Sequence, residues 1–104
     1  MSLKINPDPT FTTDLGISVP GVKDPVIVKI TFKYKNRKEY LNYMEENKDV
    51  LVEDILADLV VGWKGFDMPY SIDNLKDVFA NYPPTSMDML SLYSKELFIS
   101  KVKN

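Results

Sequence analysis

The chain has 104 residues, which is enough for one domain with a modest hydrophobic core. Hydrophobic residues make up 44% and charged residues 27%, as in folded globular proteins, and a net charge of -2 gives no general attraction for nucleic acid or anionic membranes. The absence of Cys excludes disulfides and thiolate metal sites, and the absence of His removes the usual acid/base group at neutral pH.

The N-terminal region carries no signal for export or membrane insertion. No stretch approaches the roughly 20 apolar residues that span a bilayer, and no basic region followed by an apolar run opens the chain. We therefore expect a cytoplasmic protein. Pro7 and Pro9 favour an extended or turning arm over residues 1–10, to which we assign no role.

Two strands are predicted next, because apolar and polar residues alternate along them. The first alternation runs through Thr13, Leu15, Ile17 and Val19, and the second covers residues 26–34 with Val28, Ile30, Phe32 and Tyr34 on one side. Together they predict a hairpin over residues 11–34 with one buried face. An isolated hairpin is only marginally stable, so this one needs helix packing or more strands from another copy. Lysines on its outer face either keep that face solvated or form an electrostatic docking patch.

Two helices are predicted between residues 36 and 63. Asn36 and Glu39 form a capping box, which predicts a first helix over residues 37–47. A second helix is predicted over residues 50–61 with Asp49 as its N-cap. Its buried face is indicated by residues that recur every fourth position: Leu51, Ile55, Leu59 and Trp63.

Two more helices are predicted in the C-terminal part of the chain. Ser71 is placed to cap a third helix over residues 72–80, which the pair Pro83-Pro84 cannot continue. A fourth helix is predicted over residues 86–101, with Thr85 and Asp88 available as caps. Apolar side chains cover more than one stripe of it: Met87, Met89, Leu90, Leu92, Tyr93, Leu97, Phe98 and Ile99. This helix is therefore either buried centrally or shares a face with another chain.

These elements predict a single α+β domain over residues 1–104, in which an N-terminal β-hairpin packs against a bundle of about four α-helices. The turn after the second helix is rich in large side chains. We expect Trp63 and Phe66 to be buried there, whereas Met68 and Tyr70 flank Pro69 and suit either the core or an interaction surface.

The acidic flank of the predicted second helix is the only feature that could support metal binding or catalysis. Asp54 and Asp58 lie one helical turn apart beside Glu53, a spacing that could present oxygens to Mg²⁺ or Ca²⁺. These positions also lie opposite the apolar face, where solvating charges belong, and no EF-hand spacing, activated nucleophile or nucleotide fingerprint accompanies them. We therefore predict no catalytic residue, no metal ligand and no cofactor. A small carboxylate-dependent enzyme or divalent-metal-binding module remains the alternative.

Several short motifs occur in an ordered series. The second helix ends in Gly62-Trp63, and Gly65-Phe66-Asp67, Tyr70-Ser71, Asn74-Leu75, Asn81-Tyr82-Pro83 and a closing Lys103-Asn104 follow. In this order and spacing the chain resembles the tail assembly chaperones of long-tailed bacteriophages and prophages over residues 25–104. It departs from their pattern at Pro83-Pro84-Thr85, where a single proline followed by small residues is commoner.

The resemblance implies a chaperone and not an enzyme. Such a protein binds the tape-measure protein, keeps it soluble in the host cytoplasm, helps to recruit tail-tube subunits, and is absent from the mature virion.

A candidate partner-binding surface follows from the surplus of apolar side chains, because we expect one small core to cover only some of them. We predict a homo-oligomer that captures an amphipathic helical segment of a long partner, with weak dependence on salt. The proposed surface combines six residues from the last helix and the turn: Met68, Tyr70, Met89, Leu92, Tyr93 and Ile99.

Overall fold

The computed structural model describes residues 2–101. In chain order its elements are β1 (Thr10–Ile17), β2 (Val26–Lys33), α1 (Arg37–Glu46), α2 (Val52–Leu59), β3 (Val60–Lys64), α3 (Ile72–Asn81) and α4 (Thr85–Phe98). The strands form one antiparallel sheet in the order β1-β2-β3. The predicted α+β class is confirmed, and the hairpin gains a third strand. The closing Lys103-Asn104 motif lies outside the described residues.

The hairpin confirms the predicted alternation and starts earlier, at Thr10. Its register runs from Thr10 opposite Lys33 to Ile17 opposite Val26. Five side chains of this hairpin are buried beneath the helices: Leu15, Ile17, Val28, Ile30 and Phe32. The other face is polar, since the Thr12 and Thr31 hydroxyls lie 2.8 Å apart and the Lys29 ammonium lies 2.8 Å from the Asp14 carboxylate. The sheet therefore has one covered face and one open face.

The prediction of where the second helix ends is wrong. Residues 60–64 leave the helix and form β3, in which Trp63 pairs with Ile30 and a bulge lies opposite Thr31 and Phe32. Val60 and Val61 are β-branched and favour a strand, and Val60 is buried at 2% exposure beside Phe32.

The predicted start of this helix is also wrong. The first helical residue is Val52, and Leu51 takes the N-cap position without any side-chain cap bond. Asp49 therefore does not cap the helix, and Leu51 is 72% exposed instead of buried.

The helix starts at α1 and α3 confirm the predicted caps. The Asn36 side chain accepts a hydrogen bond from the Glu39 N–H, and the Glu39 carboxylate accepts one from the Asn36 N–H, both at 2.9 Å. The Ser71 hydroxyl accepts a hydrogen bond from the Asn74 N–H at 3.0 Å. These bonds satisfy donors that the first turn of a helix leaves unpaired.

The start of α4 differs from its prediction. The helix begins at Thr85, with Pro84 at the N-cap and no side-chain cap bond. Thr85 is 3% exposed, so it packs in the interior, and Asp88 lies inside the first turn. The helix ends at Phe98, three residues before the predicted end.

An aromatic cluster joins α4 to the sheet. The Tyr93 ring centroid lies 5.0 Å from that of Phe32, 5.9 Å from Phe11 and 6.1 Å from Tyr40. The Tyr93 hydroxyl donates a hydrogen bond to the Lys33 carbonyl at 2.9 Å, which satisfies its polar end. One side of α4 is therefore buried centrally, as the first of the two sequence-based alternatives expected.

Candidate functional site

The six residues of the predicted partner surface occupy different environments. Met89 and Tyr93 have 0% exposure and belong to the core, so their predicted surface position is wrong. Leu92 and Tyr70 are half-buried against that core. Met68 and Ile99 are exposed at 55% and 63% and remain available for contact.

The accessible members of this set also lie at opposite ends of the sheet. Near the C-terminal end of α4, Leu97 lines a cleft together with Thr10 and Thr12. The turn after β3 lines another cleft together with Ile17 and Val19. The length of β1, about 24 Å at the usual rise per residue, separates the two ends. The structure therefore forms two surfaces where the sequence predicted one.

Aromatic side chains fix the turn after β3 to the sheet. We use the name aromatic turn for Trp63 at the end of β3 together with Phe66, Met68 and Tyr70 of the turn. The Trp63 and Phe66 rings stack at 3.8 Å between centroids, and the Tyr70 ring meets Trp63 edge-on at 5.2 Å. Trp63 Nε1–H donates to the Met68 carbonyl at 2.9 Å, and the Met68 side chain is exposed. Trp63 and Phe66 are only partly buried, so they lie at the margin of the core.

The Tyr70 hydroxyl adds a second attachment. It donates to the Val60 carbonyl at 3.0 Å, at the start of β3. Burial raises the pKa of this hydroxyl, so it stays a neutral donor. The turn is thus preorganised before any partner arrives.

A cleft of about 280 Å³ lies beside the aromatic turn, and we call it the terminal cleft. It is lined by Ile17, Val19, Val26, Val28, Gly65, Phe66, Asp67 and Tyr82. Among these described residues Asp67 carries the only charge, so the walls suit an apolar side chain and the rim suits a basic group.

Glycine is required in the floor of this cleft. Gly65 has φ +95°, and a Cβ atom there would lie 3.3 Å from the Val28 Cα. Only glycine adopts this conformation without strain and allows the turn to approach β2 so closely.

The sequence did not predict the terminal cleft, because its lining comes from four separate stretches of chain. Val26 was predicted only as the first residue of a strand, and it is 45% exposed at the end of β2. The one available signal was the spacing Gly65-Phe66-Asp67, in which a glycine precedes a large ring and a charge.

A second cleft, of about 470 Å³, lies at the opposite end of the sheet. Its lining mixes apolar residues such as Leu97 with charged residues such as Lys4, Asp8 and Glu96. Lys4 and Asp8 form an ion pair at 2.7 Å. This polar lining makes it a poorer receptor for an apolar side chain than the terminal cleft.

The acidic flank of α2 connects elements of the fold. The Asp54 carboxylate pairs with the Lys76 ammonium of α3, and Asp58 with the Lys33 ammonium of β2, each at 3.1 Å. Within residues 2–101, no group of three or more acidic side chains is arranged to hold a metal ion. The two carboxylates on which the metal interpretation depended thus each face a different lysine.

Asp58 also interacts with α1. The Tyr43 hydroxyl, followed by the Lys33 and Lys35 ammonium groups, holds the pKa of Asp58 below its ordinary value. The Lys35 ammonium lies 4.5 Å from the centre of the Tyr43 ring. This cluster joins the end of β2, α1 and α2 on one side of the domain.

We expect the cluster to make stability depend on pH at the acid end. A carboxyl group with a lowered folded-state pKa stabilises the fold above its unfolded pKa, here 3.8, and loses that contribution as the pH falls through the folded value. The free energy of unfolding of Asp58→Asn should therefore lie below that of wild type at neutral pH. The difference between the two free energies should become smaller as the pH falls. Urea titrations at several pH values measure this, and a gap independent of pH would contradict it.

The comparisons with known proteins concern the whole chain. No helix within residues 2–101 is long and apolar enough to cross a membrane. No match was found among curated proteins or solved structures. The model of the family described as "Phage tail assembly chaperone" matches residues 1–104, which include the aromatic turn, the terminal cleft and all four helices. The chain therefore belongs to the phage tail assembly chaperone family.

Proposed function

We propose that this chain binds the tape-measure protein of its phage or prophage and keeps it soluble in the host cytoplasm while the tail is built. The observation that carries the proposal is the family match over the whole chain. In this role the chain hands the tape-measure protein to tail-tube subunits and is absent from the mature virion. The role requires binding and release without a chemical step, and no reaction is assigned.

The aromatic turn and the terminal cleft support this role as one binding region, because Phe66 belongs to both. An amphipathic helix from the partner would insert an apolar side chain between Val26 and Phe66 and place a basic residue near Asp67. The exposed Met68 side chain is flexible and polarisable, so it adapts to segments that differ in sequence. With a single charge at the rim, binding should depend only weakly on salt.

Co-expression with the tape-measure protein from the same genome tests the proposal. We expect the soluble fraction of that protein to rise when the chain is present. Met68→Asp should weaken binding about tenfold or more, since it replaces an apolar contact with a hydrated carboxylate. Leu41→Asp on α1 is a matched control, because Leu41 is 56% exposed and Met68 is 55% exposed.

The outcomes separate the function from the surface. A tape-measure protein that is equally soluble without the chain would contradict the function. If Met68→Asp acts like wild type while Ile99→Asp abolishes the effect, the partner binds the end of α4, as the sequence also predicted. Circular dichroism of each variant shows whether it is folded.

A further inference from the structure

The open face of the sheet places an apolar side chain beside a row of charges. One row across the strands pairs Gly16 with Ile27, which is 60% exposed. The next row runs from Asp14 through Lys29 to Lys64, and both lysines are exposed. The two rows lie two residues apart, which is about 7 Å along a strand. One apolar group and two basic groups therefore lie together on the face that the helices leave open.

The charges of the second row do not cancel. The Asp14 carboxylate lies 2.8 Å from the Lys29 ammonium, whereas Lys64 has no ion pair within residues 2–101. Side chains directly opposite each other on one face have Cβ atoms about 5 Å apart, so the two lysines repel each other. A carboxylate from another molecule that bonds both ammonium groups would offset this repulsion.

Gly62 leaves a shallow depression beside these lysines. It lies two residues before Lys64 and opposite Thr31, so a side chain there would stand on the open face. The one heavy atom within 4 Å of a Cβ placed at Gly62 is the Thr31 Cβ, at 3.9 Å, and the φ angle of Gly62 is not positive. Neither crowding nor backbone conformation requires glycine, although glycine weakens the interior of a strand. Such a glycine is typical of a place that another chain approaches closely.

We propose that an acidic amphipathic helix of another protein docks on this face, at a surface formed by Ile27, Lys29, Gly62 and Lys64 that we call the open-face site. One carboxylate of the helix bonds both ammonium groups, and the helix backbone passes over Gly62. An apolar residue one helical turn away covers Ile27, because a turn of about 5.4 Å nearly matches the spacing of the rows. Helices pack on the faces of sheets, whereas added strands pair with their edges. The site thus selects a different segment from the terminal cleft, whose rim suits a basic residue.

The aromatic residues of the sheet favour an acidic protein over nucleic acid as the partner. Sheet faces that bind single-stranded nucleic acid present aromatic rings on which the bases stack. In the three strands these rings belong to Phe11, Phe32 and Trp63, and all three lie on the covered face. The net charge of -2 also disfavours a phosphate backbone.

Titration with model helices tests the proposal. The probes are two capped alanine-based peptides of about 20 residues, long enough to be helical, with Leu placed four residues from Glu in one and from Lys in the other. Amide NMR shifts of the wild-type chain locate the binding. We expect the Glu peptide to shift the amides of the open-face site and the Lys peptide to leave them unchanged. This binding should weaken as salt rises, because it depends on charge.

Two substitutions separate the site from general charge and from the fold. Lys64→Glu should weaken binding of the Glu peptide about tenfold relative to Lys48→Glu, which makes the same change in net charge at an exposed lysine between α1 and α2. Gly62→Thr should also weaken it about tenfold by filling the depression. The same change should keep or raise the thermal midpoint, since a β-branched residue suits a strand and pairs with Thr31.

Several results would overturn the proposal. A Glu peptide that causes no saturable shift, or that shifts the same amides as the Lys peptide, leaves the lysines with a solvating role only. Tighter binding of an oligothymidylate at these amides would assign the face to nucleic acid. Equal effects of Lys64→Glu and Lys48→Glu, or a Gly62→Thr variant that is less stable or binds as well as wild type, contradict the docking geometry. None of these measurements depends on the tape-measure protein.

Discussion

Replacing Tyr93 by Ala is expected to cost about 3–5 kcal/mol of unfolding free energy, because it removes a fully buried ring from the cluster with Phe11, Phe32 and Tyr40. Domains of this size are stable by about 5–15 kcal/mol, so the variant should be largely unfolded at elevated temperature. Urea and thermal denaturation followed by circular dichroism measure the change.

Tyr93→Phe is the control for the ring. It keeps the packing and removes the hydroxyl that donates to the Lys33 carbonyl, so it should cost only about 1–3 kcal/mol. A Tyr93→Ala variant that keeps wild-type stability and loses only partner binding would restore the sequence-based assignment of Tyr93 to a surface.

Replacing Trp63 by Ala is expected to cost about 2–3 kcal/mol, less than the change at Tyr93 because the indole is only partly buried. The variant loses the stack on Phe66 and the hydrogen bond to the Met68 carbonyl, which together hold the aromatic turn. We therefore expect weaker rescue of the tape-measure protein as well, measured by the same co-expression assay.

The Trp63→Phe variant separates the loss of the ring stack from the loss of the hydrogen bond, since a phenyl ring can still stack on Phe66 but has no N–H to donate. It should recover most of the stability and only part of the binding. Unchanged unfolding of Trp63→Ala would show that the turn is held by other contacts.

The parts of the fold that the sequence predicts well are those decided by local chemistry. The capping box at Asn36 and the N-cap at Ser71 depend on side chains three residues apart, so they could be identified without tertiary structure. The strand that starts at Val26 was equally easy to predict, because the alternation of apolar and polar residues extends over the whole element.

The third strand was missed because two patterns compete over the same residues. The repeat of Leu51, Ile55, Leu59 and Trp63 continues a helical period through β3, whereas Val60 and Val61 favour a strand. The helical repeat is coincidental at both ends, since Leu51 is exposed and Trp63 lies in the sheet. Pairing with β2 decides between them, and a local pattern does not contain that contact.

The error in the candidate site has another cause, because counting apolar positions along α4 does not show which elements cover them. Tyr93 packs against the rings of Phe11, Phe32 and Tyr40 from β1, β2 and α1. Neighbouring elements of the fold, α2 and α3 among them, therefore cover the side of α4 that the sequence assigned to a partner. The terminal cleft could not be predicted from local sequence patterns, because it exists only where the turn meets the end of the hairpin.

The direct passage from α2 into β3 also has a kinetic consequence. The helix ends at Leu59 and the strand starts at Val60, so no linker allows one to move without the other. The β1–β2 hairpin connects neighbouring segments and can close within microseconds, whereas β3 reaches β2 only across the whole of α1 and α2, at a larger entropic cost. We therefore expect α2 and β3 to join the fold late and to open together as one cooperative unit. Such an opening would release the aromatic turn while the hairpin stays paired, and the lifetime of the binding region would equal the lifetime of this unit.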